Sequence, residues 1–175
     1  MKQQKINLTD IKQYLKKASQ KELISDVTEL FKKFPAVQDY YQIKLYPEDE
    51  QEIAAKYKKI IEDQFFPSRG LGKAKLSVAK KAISDYKKVC QSQANLIDIM
   101  LFYVEQGVKF TNAYGEIDEP FYLSMEGVYQ QVVEIIIKAN LQDIFQQRCR
   151  KIMEDTEDIG WGFHDMLTEI YEEAF

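Results

Sequence analysis

The chain has 175 residues, which suits one domain and allows it to bury a real core. Hydrophobic residues at 45% and charged residues at 30% exclude a disordered chain, and no segment reaches the roughly 18 consecutive apolar residues of a membrane span. The net charge of −4 hides a division: residues 1–90 hold 19 Lys and Arg against 12 Asp and Glu, residues 91–175 hold 5 against 16. Such asymmetry implies either an anionic partner for the basic half or two halves that fold together and largely cancel, and the second is the simpler expectation.

The opening stretch MKQQKINLTDIKQYLKK lacks an uninterrupted apolar run, so no signal peptide is expected. Thr9 or Asp10 can cap a first helix with Ile11, Tyr14, Leu15 and Ala18 on one face. Ser19 and Glu22 form a capping box for a second, with Leu23, Val27, Leu30, Phe31 and Phe34 predicted inward. Pro35 ends it and can begin a third, carrying Val37, Tyr40, Tyr41 and Leu45. Pro47 and the acids Glu48, Asp49 and Glu50 suit the positive start of a fourth, running through Ile53, Tyr57, Ile60 and Ile61 to Phe65 and Phe66.

After the loop PSRGLGKAK, a helix with Val78, Ala79, Ala82, Ile83 and Tyr86 inward is predicted. The most apolar segment, Asn95 to Phe110, reads as the central helix, with Asp98 on a wet edge and Glu105–Lys109 as an i,i+4 pair. Gly115 suits a C-cap, Asp118 an N-cap and Pro120 a first turn. The next helix shows Phe121, Met125, Val128, Val132, Val133 and Ile136 as one stripe. Further helices span about Leu141–Asp155 and Gly162–Ala174. The expectation is a single all-α domain over residues 1–175, of seven to eight antiparallel-packed helices in a bundle or short helical superhelix.

Two places look capable of binding. From Arg69 to Lys88 there are seven basic residues against one acid, Asp85. Gly70 and Gly72 free the backbone to approach an anion, the following helix adds positive partial charge, and Arg69, Lys73, Lys75 and Lys80 add full charges. The loop is not a P-loop, since Pro67 replaces the first glycine and Ala74 the hydroxyl residue. Gly70-Leu-Gly72 loosely resembles the helix-hairpin-helix motif, which would imply contact with nucleic-acid phosphates. It departs from that motif in lacking a proline directly before the first glycine and in carrying Leu76 where alanine is usual.

The second place is IGWGFHD, Ile159 to Asp165, with the only tryptophan and the only histidine. Trp161 and Phe163 are expected to pack between helices, and Trp161 with His164 to rim a pocket as the alternative. No catalytic residues are assigned: His164 and Asp165 are adjacent and would point about 100° apart on a helix, which suits no triad. No metal site is expected either. The stretch from Asp155 begins like a calcium loop but puts Ile159 in a ligand position and Met166 where the glutamate belongs. One histidine cannot supply two Glu-x-x-His pairs, and Cys90 with Cys149 fit no ligand spacing.

The segments FFPSRGLGKAKLSVAKKAISDYKK, FTNAYGEIDEPFY and GWGFHD resemble those of an uncharacterised bacterial family, a domain of unknown function, and the similarity runs through most of the chain. The resemblance implies a bacterial, cytoplasmic setting and no activity. The sequence as a whole predicts a reduced, cytoplasmic interaction module without cofactor or membrane contact. It would bind a protein partner or itself, with a phosphate-containing ligand or nucleic acid as the second reading.

Overall fold

A computed structural model describes residues 5–175; the first four residues of the opening stretch lie outside it. The described residues form nine α-helices and a short 3-10 turn, without a strand. In chain order these are α1 (Leu8–Lys17), α2 (Gln20–Lys33), α3 (Pro35–Leu45), the turn Pro47–Asp49, α4 (Glu50–Phe65), α5 (Leu76–Lys87), α6 (Gln93–Tyr114), α7 (Glu119–Ala139), α8 (Gln142–Glu154) and α9 (Phe163–Glu172). The all-helical expectation holds, with more helices than the seven or eight foreseen. Two breaks take only a residue or two of chain. Pro35 restarts the chain as α3 directly after Phe34, and Asn140 ends α7 in the left-handed conformation at φ +54°.

Helix α6 is the axis of the body. It packs against α4, α5, α7 and α8, while α9 closes over α7 and α8. This is a bundle around a central helix; in a superhelix each pair would touch only its neighbours. The predicted stripe of α7 is buried throughout, and α6 buries residues on most of its circumference, from Leu96 to Thr111. Gly107 sets the closest approach of α6 to α7, because a Cβ there would lie 2.2 Å from the Met125 sulfur. The predicted caps at Ser19, Gly115 and Asp118 are all present. The cap of α1 is Asn7, not Thr9 or Asp10: its side chain takes the amides of Thr9 and Asp10, and Asp10 returns a bond to the Asn7 amide.

The amino-terminal arm departs from expectation. Neither α1 nor α2 buries a single residue. Leu30, Phe31 and Phe34, read as inward, are 46%, 44% and 50% exposed. On α3 the buried residues are Asp39 and Ile43, while Tyr40 and Leu45, predicted inward, face out. The physical reason is coverage: α2 packs on α3, α3 packs on the 3-10 turn and α4, and no further layer among the described residues lies over the apolar side. In the body only the flanks of the predicted faces are corrected, with Ile60, Val78 and Met166 at the surface.

Candidate functional site

The uncovered face of the arm is a feature that the body's packing does not use. Its two helices are strongly helical in their own right, each closed by a reciprocal capping box, and Tyr14 of α1 donates to Asp26 of α2 at 2.8 Å. Phe31 meets Tyr41 edge-on at 6.5 Å, Tyr41 meets Tyr40 at 5.3 Å, and the Lys44 ammonium lies 5.5 Å from the Tyr40 ring centre. These are amphipathic aromatics with a cation beside them, the side chains that dominate protein interfaces. The arm is tied to the body through Asp39, which accepts from Lys56 at 2.9 Å and from the Tyr57 hydroxyl at 2.9 Å. Burial, followed by that bond, drives the Tyr57 phenol far above its ordinary pKa.

The basic loop proves to be a cap on α4. The amides of Lys73 and Ala74 both donate to the Gln64 carbonyl, at 3.1 and 2.8 Å. Gly72 is required by this closure, because a Cβ there would sit 1.7 Å from the Phe65 carbonyl oxygen. Gly70 turns the chain at φ +78°. Two of the backbone donors a phosphate would use are therefore committed within the chain. The side chains are not: Arg69, Lys73, Lys75 and Lys80 are exposed, and none has an ion-pair partner among the described residues.

The two halves pack on each other through α4, α5 and α6 but share little direct ion pairing. Among the described residues, Lys58–Asp98 at 2.5 Å is the one ion pair that crosses residue 90. Asp98 also takes Arg148 at 2.5 Å, and Glu105 binds the same guanidinium with both oxygens, at 2.6 and 3.0 Å. The expected pairing of Glu105 with Lys109 is thus replaced by Arg148, which α8 brings across from 43 residues away. A planar guanidinium meets a carboxylate with two bonds where a lysine offers a point charge.

The corner around Trp161 divides its two aromatics. Phe163 is fully buried, but Trp161 is 57% exposed, at φ +63°, lying over Tyr122 with ring centres 6.4 Å apart. The expectation that both pack between helices is corrected for Trp161: the turn that lets Phe163 enter the core faces the indole outward. Gly160 is needed here, since a Cβ would lie 2.6 Å from a Glu116 carboxylate oxygen. Thr156, wholly buried, donates to the Met153 carbonyl at 2.6 Å, so its oxygen must accept from His164 Nδ1 at 3.0 Å. That bond ties the end of α8 to the start of α9.

Sequence reasoning missed Glu50, read only as one of three acids at a helix start. It is buried and accepts from the Tyr86 hydroxyl at 3.1 Å and from the amides of Gln91 and Ser92 at 3.0 Å each. It pins the entry of α6 to α4. Its three donors come from beyond position 85, so no local pattern could have revealed it. Burial raises both thiols: Cys149 is pushed up to about 12, and Cys90, beside Glu50, is raised as well. Neither thiol has the lowered pKa of an activated nucleophile.

Among the described residues no group of three His, Cys, Asp or Glu side chains is placed to hold a metal ion, and no helix is long and apolar enough to cross a membrane. The model of a family of unknown function, DUF6155, matches residues 6–175, and the chain belongs to that family. No curated protein and no solved structure matches it.

Proposed function

We propose that this family member is an interaction module, without catalytic chemistry of its own, whose docking surface is the apolar face of α1–α3. One observation carries the reading: two amphipathic helices, each with its own caps, bury none of their residues. Exposed apolar surface of this extent is unfavourable in water and marks a place where another surface fits. A helix pair offering Leu30, Phe31 and Phe34 suits a helix or groove from another chain, or from a second copy of this one.

The test places a photo-crosslinking residue at Ile24, an exposed apolar position on the same arm, and pairs it with sedimentation of the purified chain. A Leu30→Asp/Phe34→Asp variant runs alongside. The expected result is a defined adduct or a dimer that the double variant loses, with its melting behaviour otherwise kept. A monomer that forms no adduct in its native extract would refute the reading.

A second reading is phosphate or nucleic-acid binding by Arg69, Gly70, Gly72, Lys73, Lys75 and Lys80. It is supported by four exposed cations that carry no ion pair among the described residues. The committed amides of Lys73 and Ala74 argue for contact through side chains and against a backbone cradle. Affinity for polyanions would then fall steeply with salt and show little sequence preference.

A further inference from the structure

We propose that the groove between α5, α6 and α7 binds a small organic anion with an apolar body, of the class of a fatty carboxylate or an alkyl phosphate. The proposal does not depend on the arm, and it shares only Lys80 with the basic-loop reading. The groove encloses about 330 Å³, at the small end of the range for ligand pockets.

One wall is α5, where Lys80, Ser84 and Lys87 recur at i, i+4 and i+7 and so share a face. The cations of this helix divide by face. Lys81 and Lys88 both pair with Asp85, whereas Lys80 and Lys87 have no ion-pair partner among the described residues. Two positive charges are thus left beside the groove. The floor is apolar and belongs to the core: Ile83, Met100 and Val128 are all buried.

The opposite wall is α7, with Ser124, Gly127 and Gln131 toward the groove. Glycine is unfavourable inside a helix, so Gly127 needs a reason in the middle of α7. Close packing is not that reason: a Cβ at Gly127 would meet nothing within 4 Å, whereas one at Gly107 would strike the Met125 sulfur. The missing side chain opens the groove. Ser124 shares a 2.8 Å hydrogen bond with the buried Tyr103 hydroxyl. When Tyr103 donates that bond, the Ser124 proton is free for an acceptor in the groove.

The lining selects the ligand class. Inorganic phosphate would leave the apolar floor wet, and a neutral hydrocarbon would gain nothing from the two lysines beside the groove. The lining holds no aromatic ring on which a nucleobase could stack, which disfavours single-stranded nucleic acid. A charged head held by Lys80 and Lys87, with a short apolar tail over Met100 and Val128, satisfies both parts.

Calorimetric titration of the full chain with four probes tests this: decanoate, octyl phosphate, inorganic phosphate and octanol. At least one of the first two should bind, and whichever binds better identifies the head group. Inorganic phosphate and octanol should each bind at least about ten-fold more weakly. Lys80→Glu/Lys87→Glu, at two exposed positions, should abolish binding. Gly127→Leu should fill the groove and block it while circular dichroism and thermal melting stay as in the parent chain. Should Gly127→Leu misfold, the lysine pair decides alone. Equal binding of inorganic phosphate would reduce the site to a basic surface, and equal binding of octanol to an apolar crevice; either overturns the proposal. Binding that survives both variants, or no binding of any probe, overturns it too. Leu30→Asp/Phe34→Asp should bind the probes normally, so failure of the docking reading and failure of this one are separable.

Discussion

Leu30 on α2 and Leu101 on α6 are both apolar helix residues of the same type, yet one is about half exposed and the other wholly buried. The arm and the body differ in this throughout. Helices α1 and α2 have good caps, acids in the first turn and bases in the last, all the local features that favour a helix. Helix α5 has no side-chain cap and is held mainly by what it packs against, α4 and α6. The arm is stabilised locally and the body by tertiary contact. Short helices are marginal in water without such contact, so the arm's local features compensate for the cover it lacks.

Truncating a core residue gives the largest contrast. Leu101→Ala should cost about 2–5 kcal/mol in urea unfolding, the range for buried leucines, whereas Leu30→Ala should stay within about 1 kcal/mol. A large loss at Leu30 in the isolated chain would mean that the arm's face is covered after all.

The ion pairs come next. Arg148→Ala leaves Glu105 and one side of Asp98 without a partner between three helices, and should cost about 1–3 kcal/mol by the same measurement. Its counterpart in the arm, Lys33 with Glu29, is solvated on both sides. Lys33→Ala should change stability by about 0.5 kcal/mol or less. Equal effects would erase the distinction between tertiary and local stabilisation.

The smallest effect concerns Glu126, half-buried on α7 without an ion pair among the described residues, where burial pushes its carboxyl above the ordinary range. The folded chain therefore binds this proton more tightly than the unfolded one. The stability so gained is fully present below the ordinary glutamate pKa and is lost as pH rises through the raised value. Glu126→Gln should flatten that decline when unfolding is followed from pH 4 to pH 7, by roughly the span over which a buried carboxylate titrates. An unchanged slope would show that Glu126 is solvated.

Much of the fold was legible because helices announce themselves locally. Ser19 with Glu22, Asp118 with Pro120, and the stripe from Phe121 to Ile136 each lie within one or a few turns of chain. Coverage is not local. The periodicity of Leu23 to Phe34 reports that one face is apolar, and nothing in it states whether another layer arrives. Arg148 and Glu50 illustrate the same limit for polar groups, since their partners lie 43 and about 40 residues away. Of the candidate sites, the exposed cations were readable as charges, but the capture of the loop amides by Gln64 depends on how α4 ends. The outward turn of Trp161 follows from its left-handed backbone, which composition cannot foretell.

Asp39 and Ile43 are the arm's only buried residues among those described, and both lie on α3. Cooperative unfolding requires that the loss of one part be felt by the rest, and here the main contact between arm and body is made by α3 with α4 and the 3-10 turn. The arm is therefore expected to lose its order before α4–α9 lose theirs, as a unit of lower local stability. A melt followed by one probe in the arm and one in the body should then give two separate transitions in place of one.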